Sequence, residues 1–214
     1  MPKYIVKSYL GCKRCGLCNT RREIVFGRGS LPATILFIGE APSVTDDLLG
    51  IPFVGPAGKL LDAAIKRGCE MMAYEGIHNC KYCKDGTEPE FGIADCPKCF
   101  GGVTPPPYFI TNSVACRPTD VAGGENREPN ADEIWACYER LQHTYNQVQP
   151  KVVVFLGEVA RKHLTKAFPQ AYNLRHPSYL IRRGGVESPE FRAMARDLSA
   201  IFRGAEVLTT KLRK

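Results

Sequence analysis

Short runs of apolar residues alternate along this chain with longer segments in which apolar residues recur every three or four positions. The short runs are rich in β-branched and aromatic residues, which predicts buried strands. They cover residues 34–38, 108–112 and 152–156. The longer segments predict amphipathic helices at residues 58–68, 131–147, 158–168 and 189–202. Strands alternating with helices predict an α/β fold, a three-layer α/β/α sandwich around a small, mainly parallel sheet.

The helix predicted at 131–147 has the clearest boundary signals. Asn130 precedes it as a cap, and two acidic residues in its first turn interact favourably with its positive end. Its inner face is defined by Ile134, Tyr138, Leu141 and Tyr145, with Cys137 beside them.

The alternation stops between residues 76 and 106, where glycines, prolines and charges leave no periodic apolar pattern. We interpret residues 1–214 as one domain that carries a metal-binding insertion at 76–106. The insertion contains two Cys-x2-Cys pairs: Cys80, Cys83, Cys96 and Cys99. This pattern predicts a closed, structural tetrathiolate zinc (Zn2+) site. Unligated thiols or a second iron–sulfur site are the alternatives, and the insertion could contact a protein partner.

The chain has 214 residues, enough to bury one core, and ten are cysteines. No apolar run is long enough to cross a membrane and Met1 to Lys3 begin no signal peptide, so we expect a cytoplasmic monomer. Thiols stay reduced there, which favours metal ligation over disulfides.

The net charge is +7, and residues 151–214 hold 13 Lys and Arg against 5 Asp and Glu. This excess suits a DNA backbone, although the solvated surface of a mildly basic protein would look the same.

The stretch from residue 35 to 62 combines a strand with two loops rich in glycine and proline. One loop follows the strand directly at 39–43, and the other, at 52–58, leads into the next helix. Ligands of open α/β sheets bind outside the carboxyl ends of the strands. We therefore predict a ligand pocket at these two loops.

Four motifs stand in order along the chain. They are Cys12-Lys13-Arg14-Cys15 with Arg21 and Val25-Phe26-Gly27; Glu40-Ala41-Pro42 with Pro52-Phe53-Val54-Gly55-Pro56-Ala57-Gly58; Thr111-Asn112 with Cys116-Arg117-Pro118; and His176-Pro177-Ser178. Together they resemble the motifs of the family 4 uracil-DNA glycosylases, the iron–sulfur branch of that superfamily. The resemblance implies a monofunctional enzyme that flips uracil out of DNA and hydrolyses its N-glycosidic bond to leave an abasic site. The alternatives are a catalytically silent DNA- or partner-binding protein, and a glycosylase for another deaminated or modified base.

By this resemblance, three side chains hold the base. Phe53 supplies an aromatic face, although a lone Phe in such a loop is more often a core anchor. Asn112 offers its amide oxygen to uracil N3–H and its NH2 group to O4, a polarity that cytosine reverses at both atoms. Elsewhere an Asn at a strand end is usually a turn residue. His176 donates to uracil O2, where negative charge accumulates as the base leaves, whereas a lone His is more often surface or core filler.

Two carboxylates have less specific roles. Glu40 organises the pocket through hydrogen bonds, to the sugar or to a water. Superfamily members with Asp immediately after this position use it to position the nucleophilic water, but that place is Ala41 here. We assign the water to backbone groups or to Asp46, whose alternative role is to interact with a helix dipole. Ser43 replaces the glycine usual in this motif and adds a side chain beside the base pocket, which could narrow or redirect the choice of base.

The segment after His176 is implied to enter the DNA, so the expected partner is uracil-containing DNA. Leu180 is the candidate wedge that fills the vacated position in the base stack, with Tyr179 as the second choice. The other candidate DNA contacts are Arg175, Ser178, Arg182 and Arg183.

The resemblance also assigns a [4Fe-4S] cluster of structural role to four cysteines. These ligands are Cys12, Cys15, Cys116 and Cys137. Spacing alone would have chosen Cys18 as a third ligand after the first two. We instead interpret Cys18 and Cys69 as small buried hydrophobic residues, with metal ligation as the alternative for each.

Overall fold

A computed structural model describes residues 8–76 and 104–211 of the chain. In these two ranges one sheet is formed, with the strand order β1-β3-β2-β4-β5. The strands are β1 (Arg28–Gly29), β2 (Ile35–Gly39), β3 (Tyr108–Asn112), β4 (Val152–Leu156) and β5 (Tyr172–Leu174). All neighbouring strands are parallel except β1, which lies antiparallel to β3 at the edge. The predicted mainly parallel sheet is confirmed, with the short strands β1 and β5 added to it.

The helices flank this sheet. They are α1 (Val44–Leu49), α2 (Pro56–Gly76), α3 (Ala131–Val148), α4 (Glu158–Leu164), α5 (Pro177–Ile181) and α6 (Pro189–Lys211). Helices α2 and α6 run past their predicted ends because they pack closely along each other: a Cβ added at Gly68 would lie 2.8 Å from the Leu198 Cβ. Such packing sustains turns that local sequence alone would not. None of the helices in the described ranges is long and apolar enough to span a bilayer.

Strand β2 is buried along its whole length, and its side chains enter two separate cores. Ile35 and Phe37 pack with residues of α2, α5 and α6 on one face. Leu36 and Ile38 pack with residues of α3 and α4 on the other. Fully burying one such side chain contributes roughly 1.5–3 kcal/mol. The predicted three-layer sandwich is therefore confirmed.

Helix α3 begins with the predicted Asn130 cap. The Asn130 Oδ1 accepts a hydrogen bond from the Glu133 N–H at 2.9 Å, and the Glu133 carboxylate accepts one from the Asn130 N–H at 2.9 Å. Such a reciprocal capping box satisfies two amide donors that a helix start leaves unpaired. Helix α1 begins in the same way, with Ser43 and Asp46.

The carboxyl ends of the four parallel strands lie at one edge of the sheet. In the register of β2 and β3, Gly39 is the partner of Asn112. The Gly157 N–H, after β4, donates to the Leu174 carbonyl at 2.8 Å, which fixes the segment leading to His176 at the same edge. The loops of the predicted pocket therefore share one side of the molecule.

Candidate active site

Asn112 ends β3 with its side chain fully buried. Neither its Oδ1 nor its Nδ2 has a hydrogen-bond partner among the described residues. A buried polar group left unpaired costs about 1–3 kcal/mol, so this amide suits a ligand that pairs with both atoms. A Cβ added at Gly39 would lie 2.5 Å from the Asn112 Oδ1 and 2.5 Å from the Phe53 Cζ. The amide and the aromatic ring are therefore neighbours across a glycine.

Phe53 is held in an unusual backbone conformation. Its φ is 55°, a left-handed value that costs a residue with a side chain of order 1–3 kcal/mol. Arg28 clamps this loop: its Nε donates to the Pro52 carbonyl at 3.0 Å, and its Nη2 donates to the Phe53 carbonyl at 3.3 Å. The same Nη2 donates to Asp62 of α2 at 2.6 Å. The Phe53 ring is thus positioned by an ion pair between β1 and α2.

His176 completes this group, with its ring centroid 6.0 Å from that of Phe53. Its Nδ1 accepts a hydrogen bond from the Ser178 N–H at 3.2 Å and lies 2.8 Å from the Ser178 Oγ. Burial, with a further contribution from the Arg182 charge, lowers the pKa of His176, and Asp46 opposes this shift. At neutral pH the imidazole is therefore uncharged, with its proton on Nε2, where it can donate.

Glu40 lies beside this group at the end of β2, half-buried. Burial raises the pKa of its carboxyl, and the nearby Glu128 raises it further. Its carbonyl accepts hydrogen bonds from the Ser113 Oγ and, at 3.3 Å, from the Val114 N–H. These hydrogen bonds join the residue after β2 to the two residues after β3. Ala41, next to it, is partly exposed.

Asp46 is buried, and its carboxylate takes part in the capping box at the start of α1. One carboxylate oxygen accepts from the Ser43 N–H at 3.0 Å and the other accepts from the Val54 N–H at 2.9 Å. The Ser43 Oγ accepts in turn from the Asp46 N–H at 3.3 Å. These contacts favour the alternative for Asp46, a helix-start residue, and they give Ser43 a capping role.

The segment after His176 differs from the prediction at one residue. Leu180 is completely buried in the core between the sheet and α2, so in this structure its side chain cannot enter a base stack. The prediction failed because α5 has only five residues, and packing against α2 decides which of them faces inward. Tyr179, the second choice, is half-buried, with the Cζ atoms of Arg175 and Arg183 lying 4.8 and 5.2 Å from its ring centroid.

The remaining predicted DNA contacts surround this tyrosine. Arg175, Arg182 and Arg183 are exposed, and Ser178 is partly exposed. A cavity of about 820 Å³ lies next to them, lined by His176 and Tyr179 among others. Asn112 and Phe53 do not line this cavity, and of the three predicted base-contacting residues only His176 does.

The four predicted cluster ligands converge from separate segments. Cys12 and Cys15 precede the short 3-10 turn at Gly16–Asn19, Cys116 follows β3, and Cys137 lies on α3. Burial raises the pKa of Cys116 to about 12; Arg21 opposes this rise, and Cys137 and Cys15 add to it. Burial also raises the pKa of Cys15, with contributions from Cys137 and Cys12. Each of these four cysteines therefore lies close enough to influence another.

Nitrogen donors surround these sulfur atoms. The Ala115 N–H donates to the Cys137 Sγ at 3.4 Å, and the Arg21 Nη1 donates to the Cys116 Sγ at 3.5 Å. The Arg21 Nη2 also donates to the Cys12 carbonyl at 2.7 Å. Among the residues described, no group of three or more His, Cys, Asp or Glu is arranged to hold a single metal ion. A cubane cluster needs a wider set, because each thiolate binds a different iron, and soft thiols with N–H donors suit it.

The other cysteines divide into three cases. Cys69 is buried in the core, as predicted. Cys18 is only half-buried, so the prediction of a buried hydrophobic residue was wrong, and its Sγ donates to the Asn19 Oδ1 at 3.4 Å. The predicted zinc ligands lie outside the described residues: Cys80, Cys83, Cys96 and Cys99.

Two arginines that support the site were not predicted from the sequence. Arg28 holds the Phe53 loop, and Arg140 holds the main chain at Asn112. A signal existed for Arg140, since it stands three residues, or about one helical turn, after the predicted cluster ligand Cys137. Arg28 gave no such signal, because strand β1 has only two residues.

Comparison with known proteins identifies relatives of this chain. The family description "Uracil DNA glycosylase superfamily" matches residues 26–199. Among curated proteins, type-4 uracil-DNA glycosylases of Sulfurisphaera tokodaii, Archaeoglobus fulgidus and Thermotoga maritima are 34%, 32% and 31% identical to this chain. The alignments cover 75%, 77% and 70% of this chain and 56%, 63% and 58% of the respective relatives. The chain thus spans a little over half the length of these relatives.

Proposed function

Because this chain belongs to the uracil DNA glycosylase superfamily, we propose that it excises uracil from DNA by hydrolysing the N-glycosidic bond and leaving an abasic site. The observation that carries the proposal is the buried Asn112 amide, unpartnered among the described residues and adjacent to Phe53, whose ring centroid lies 6.0 Å from that of His176. The type-4 relatives support the same reaction by their names.

Asn112 reads the base in this proposal. Its Oδ1 accepts from uracil N3–H and its Nδ2 donates to O4, which pairs both buried atoms at once. Cytosine would place an acceptor against the Oδ1 and a donor against the Nδ2, and both would remain unsatisfied. A site that hydrogen-bonds its substrate rejects such a mismatch strongly, because its own buried groups stay unpaired. Phe53 supports the flipped base by stacking.

His176 stabilises the leaving group. As the bond between sugar and base breaks, negative charge develops on the uracil, including O2. A neutral imidazole that donates its Nε2–H to O2 stabilises this charge without adding a proton, and the Ser178 N–H holds the ring in the required tautomer. Removing one donor of this kind from an enzyme site typically lowers the rate by roughly 10²–10³-fold.

Glu40 and the backbone near it hold the attacking water. With Ala41 in place of an Asp, no carboxylate occupies that position. The half-buried Glu40 carboxyl, whose pKa is raised, is the acidic group of this motif that the capping of α1 does not use. It contacts the water or the sugar, whereas Asp46 supports the loop that carries Phe53.

DNA binds along the exposed arginines near Tyr179. Arg175, Arg182 and Arg183 contact phosphates, so binding weakens as salt concentration rises. Tyr179 replaces Leu180 as the residue that occupies the vacated stack, because its ring is half-buried and is bracketed by two arginines.

A [4Fe-4S] cluster bound by Cys12, Cys15, Cys116 and Cys137 would join the N-terminal segment to β3 and α3. When bound, it supplies cross-linking and negative charge, and the reaction uses neither iron nor electrons from it. Binding iron would also deprotonate Cys116 despite its raised pKa, because metals bind thiolates. The zinc site in the insertion stays a prediction, as do a protein partner for it and a monomeric state.

Incubation with labelled single- and double-stranded oligonucleotides tests the reaction. Each would carry uracil, thymine, cytosine or hypoxanthine at one position, and alkali would cleave any abasic site. We expect cleavage only at uracil, with no strand break before alkali because no lysine Schiff base forms. Binding without cleavage of any oligonucleotide would favour the catalytically silent alternative, and cleavage at another base would favour the glycosylase of different specificity.

A further inference from the structure

Arg140 lies on the inner face of α3 with only 2% of its surface exposed. Its Nη1 donates to the Thr111 Oγ1 at 2.9 Å, and its Nη2 donates to the Asn112 carbonyl at 2.7 Å and the Ser113 carbonyl at 2.9 Å. These three acceptors belong to the last two residues of β3 and to the residue that follows them. Arg140 therefore fixes the main chain that carries the Asn112 amide.

The charge of Arg140 has no carboxylate partner in residues 8–76 and 104–211, where every salt bridge involves another arginine. Its remaining polar neighbour is the Cys137 Sγ, 3.6 Å from Nη2. Its Nε has no hydrogen-bond partner within the same ranges. Burying an unpaired charge is strongly unfavourable. The guanidinium therefore joins the main chain at Asn112 to the cysteine centre at Cys137.

We propose that Arg140 is a positioning residue that makes base discrimination by Asn112 depend on the cysteine centre. The Cys137 sulfur of the centre holds the guanidinium, and the guanidinium holds the carbonyls of Asn112 and Ser113. This inference rests on the proposed function, since it concerns how uracil is distinguished from other bases. It assigns the cysteine centre an effect on specificity in addition to cross-linking.

The contacts favour a role that only arginine can perform. The Thr111 Oγ1 donates its proton to the Phe26 carbonyl at 2.7 Å, so its oxygen is left to accept the hydrogen bond from Arg140. A planar guanidinium can reach the hydroxyl, both carbonyls and the sulfur together, whereas a lysine ammonium concentrates its donors on one nitrogen. Arg140→Lys therefore keeps the charge and loses the geometry, and Arg140→Met removes both.

The test compares wild type, Arg140→Lys and Arg140→Met, with Arg161→Met as the control. Arg161 is an exposed arginine paired with Glu158 one helical turn away on α4. Discrimination is measured as the ratio of affinities for duplexes that carry a non-hydrolysable uracil or a non-hydrolysable cytosine nucleotide at the same position, because the Asn112 amide distinguishes these two bases by their hydrogen-bonding polarity. Two further readouts need no catalysis: the visible absorption of the cluster with its rate of bleaching by an oxidant, and amide hydrogen exchange of the peptide spanning 108–115.

We expect Arg140→Lys to fold and keep its visible absorption, but to lose discrimination by about tenfold or more, with faster exchange at 112–114. A hydrogen bond to a charged group has a value of that order. Removing the cluster from wild type should lower discrimination similarly, and removing it from Arg140→Met should add little, since coupled elements are not additive. The Arg161→Met control should match wild type in every readout.

Any of three results would overturn the inference. The first is a folded Arg140→Lys protein whose discrimination and amide exchange equal those of wild type. The second is a loss of discrimination on cluster removal that is equally large in wild type and in Arg140→Met. The third is a wild-type protein that binds no iron. Failure of the proposed function looks different: wild type would neither prefer nor cleave uracil, while exchange at 112–114 would still respond to Arg140 and to the cluster.

Discussion

Two arginines support two walls of the candidate site, formed by Asn112 and Phe53, and they do so in contrasting ways. Arg140 holds the Asn112 wall from the interior, almost fully buried and without a carboxylate partner in the described residues. Arg28 holds the Phe53 wall from the sheet edge, partly exposed and paired with Asp62. A buried guanidinium allows one geometry and depends on its counter-charge, whereas a partly exposed ion pair is screened by water and salt. The amide wall should therefore be rigid and the aromatic wall adjustable.

Replacing the amide of the rigid wall should have the largest effect. We expect Asn112→Ala to lower kcat/KM for uracil release by roughly 10²–10³-fold or more, because both base-reading hydrogen bonds are lost. The same change removes an unpaired buried amide, which should raise the free energy of unfolding by about 1–3 kcal/mol. The cost of any cavity left by the smaller side chain is subtracted from this gain. Release assays and urea titrations measure the two effects. The exposed Asn146 provides a matched control, Asn146→Ala, that should change neither.

His176 contacts neither of these two arginines. Replacing it should have the second largest effect on activity. We expect His176→Ala to lower kcat by about 10²-fold with little change in duplex affinity, because the imidazole acts on charge that develops during bond breakage. His163→Ala, in the partly exposed last turn of α4, is the control. Nearly normal turnover in both Asn112→Ala and His176→Ala would reject the glycosylase assignment.

Changes at the Phe53 wall should lower activity less than changes at the Asn112 wall. We expect Arg28→Ala to lower kcat/KM by about tenfold, because the loop carrying the left-handed Phe53 loses two hydrogen bonds and an ion pair. Raised salt should reduce the difference between wild type and variant, after correction for weaker DNA binding. Arg67→Ala removes another ion pair on α2, with Glu70, and serves as the control. A loss as large as that of Asn112→Ala would contradict the contrast between the walls.

Protonation of His176 should give the smallest effect. Its pKa in the folded protein lies below the ordinary 6.5, so the unfolded chain binds the proton more readily. The resulting stability is present above pH 6.5 and decreases as pH falls through the folded pKa. Urea titrations at pH 7.5 and 5 should show a smaller pH dependence in His176→Gln than in wild type. Equal dependence in the two proteins would indicate that the imidazole is not held neutral.

The sequence predicted those features that depend on local periodicity or on a short motif. The strands containing Phe37 and Val154 were clear because their apolar runs are buried on both faces. Asn112 and His176 were found through motifs. Other features depend on packing between distant segments: the burial of Leu180 in a five-residue helix, and the length of α2 against α6. Arg28 escaped prediction because only tertiary contacts explain a charged residue beside the Pro52–Phe53 loop.

Gly39 offers a criterion for sorting other chains of this fold into excising and inert forms. Since any side chain there would collide with both the Asn112 oxygen and the Phe53 ring, even one methyl group would occupy the floor on which those residues meet. Consider a chain that carries alanine at the position of Gly39 but retains the asparagine, the aromatic residue and the histidine. It would keep the three motif residues and lose the space that a nucleobase needs between them. Reading that single position would separate the two forms before any assay is run.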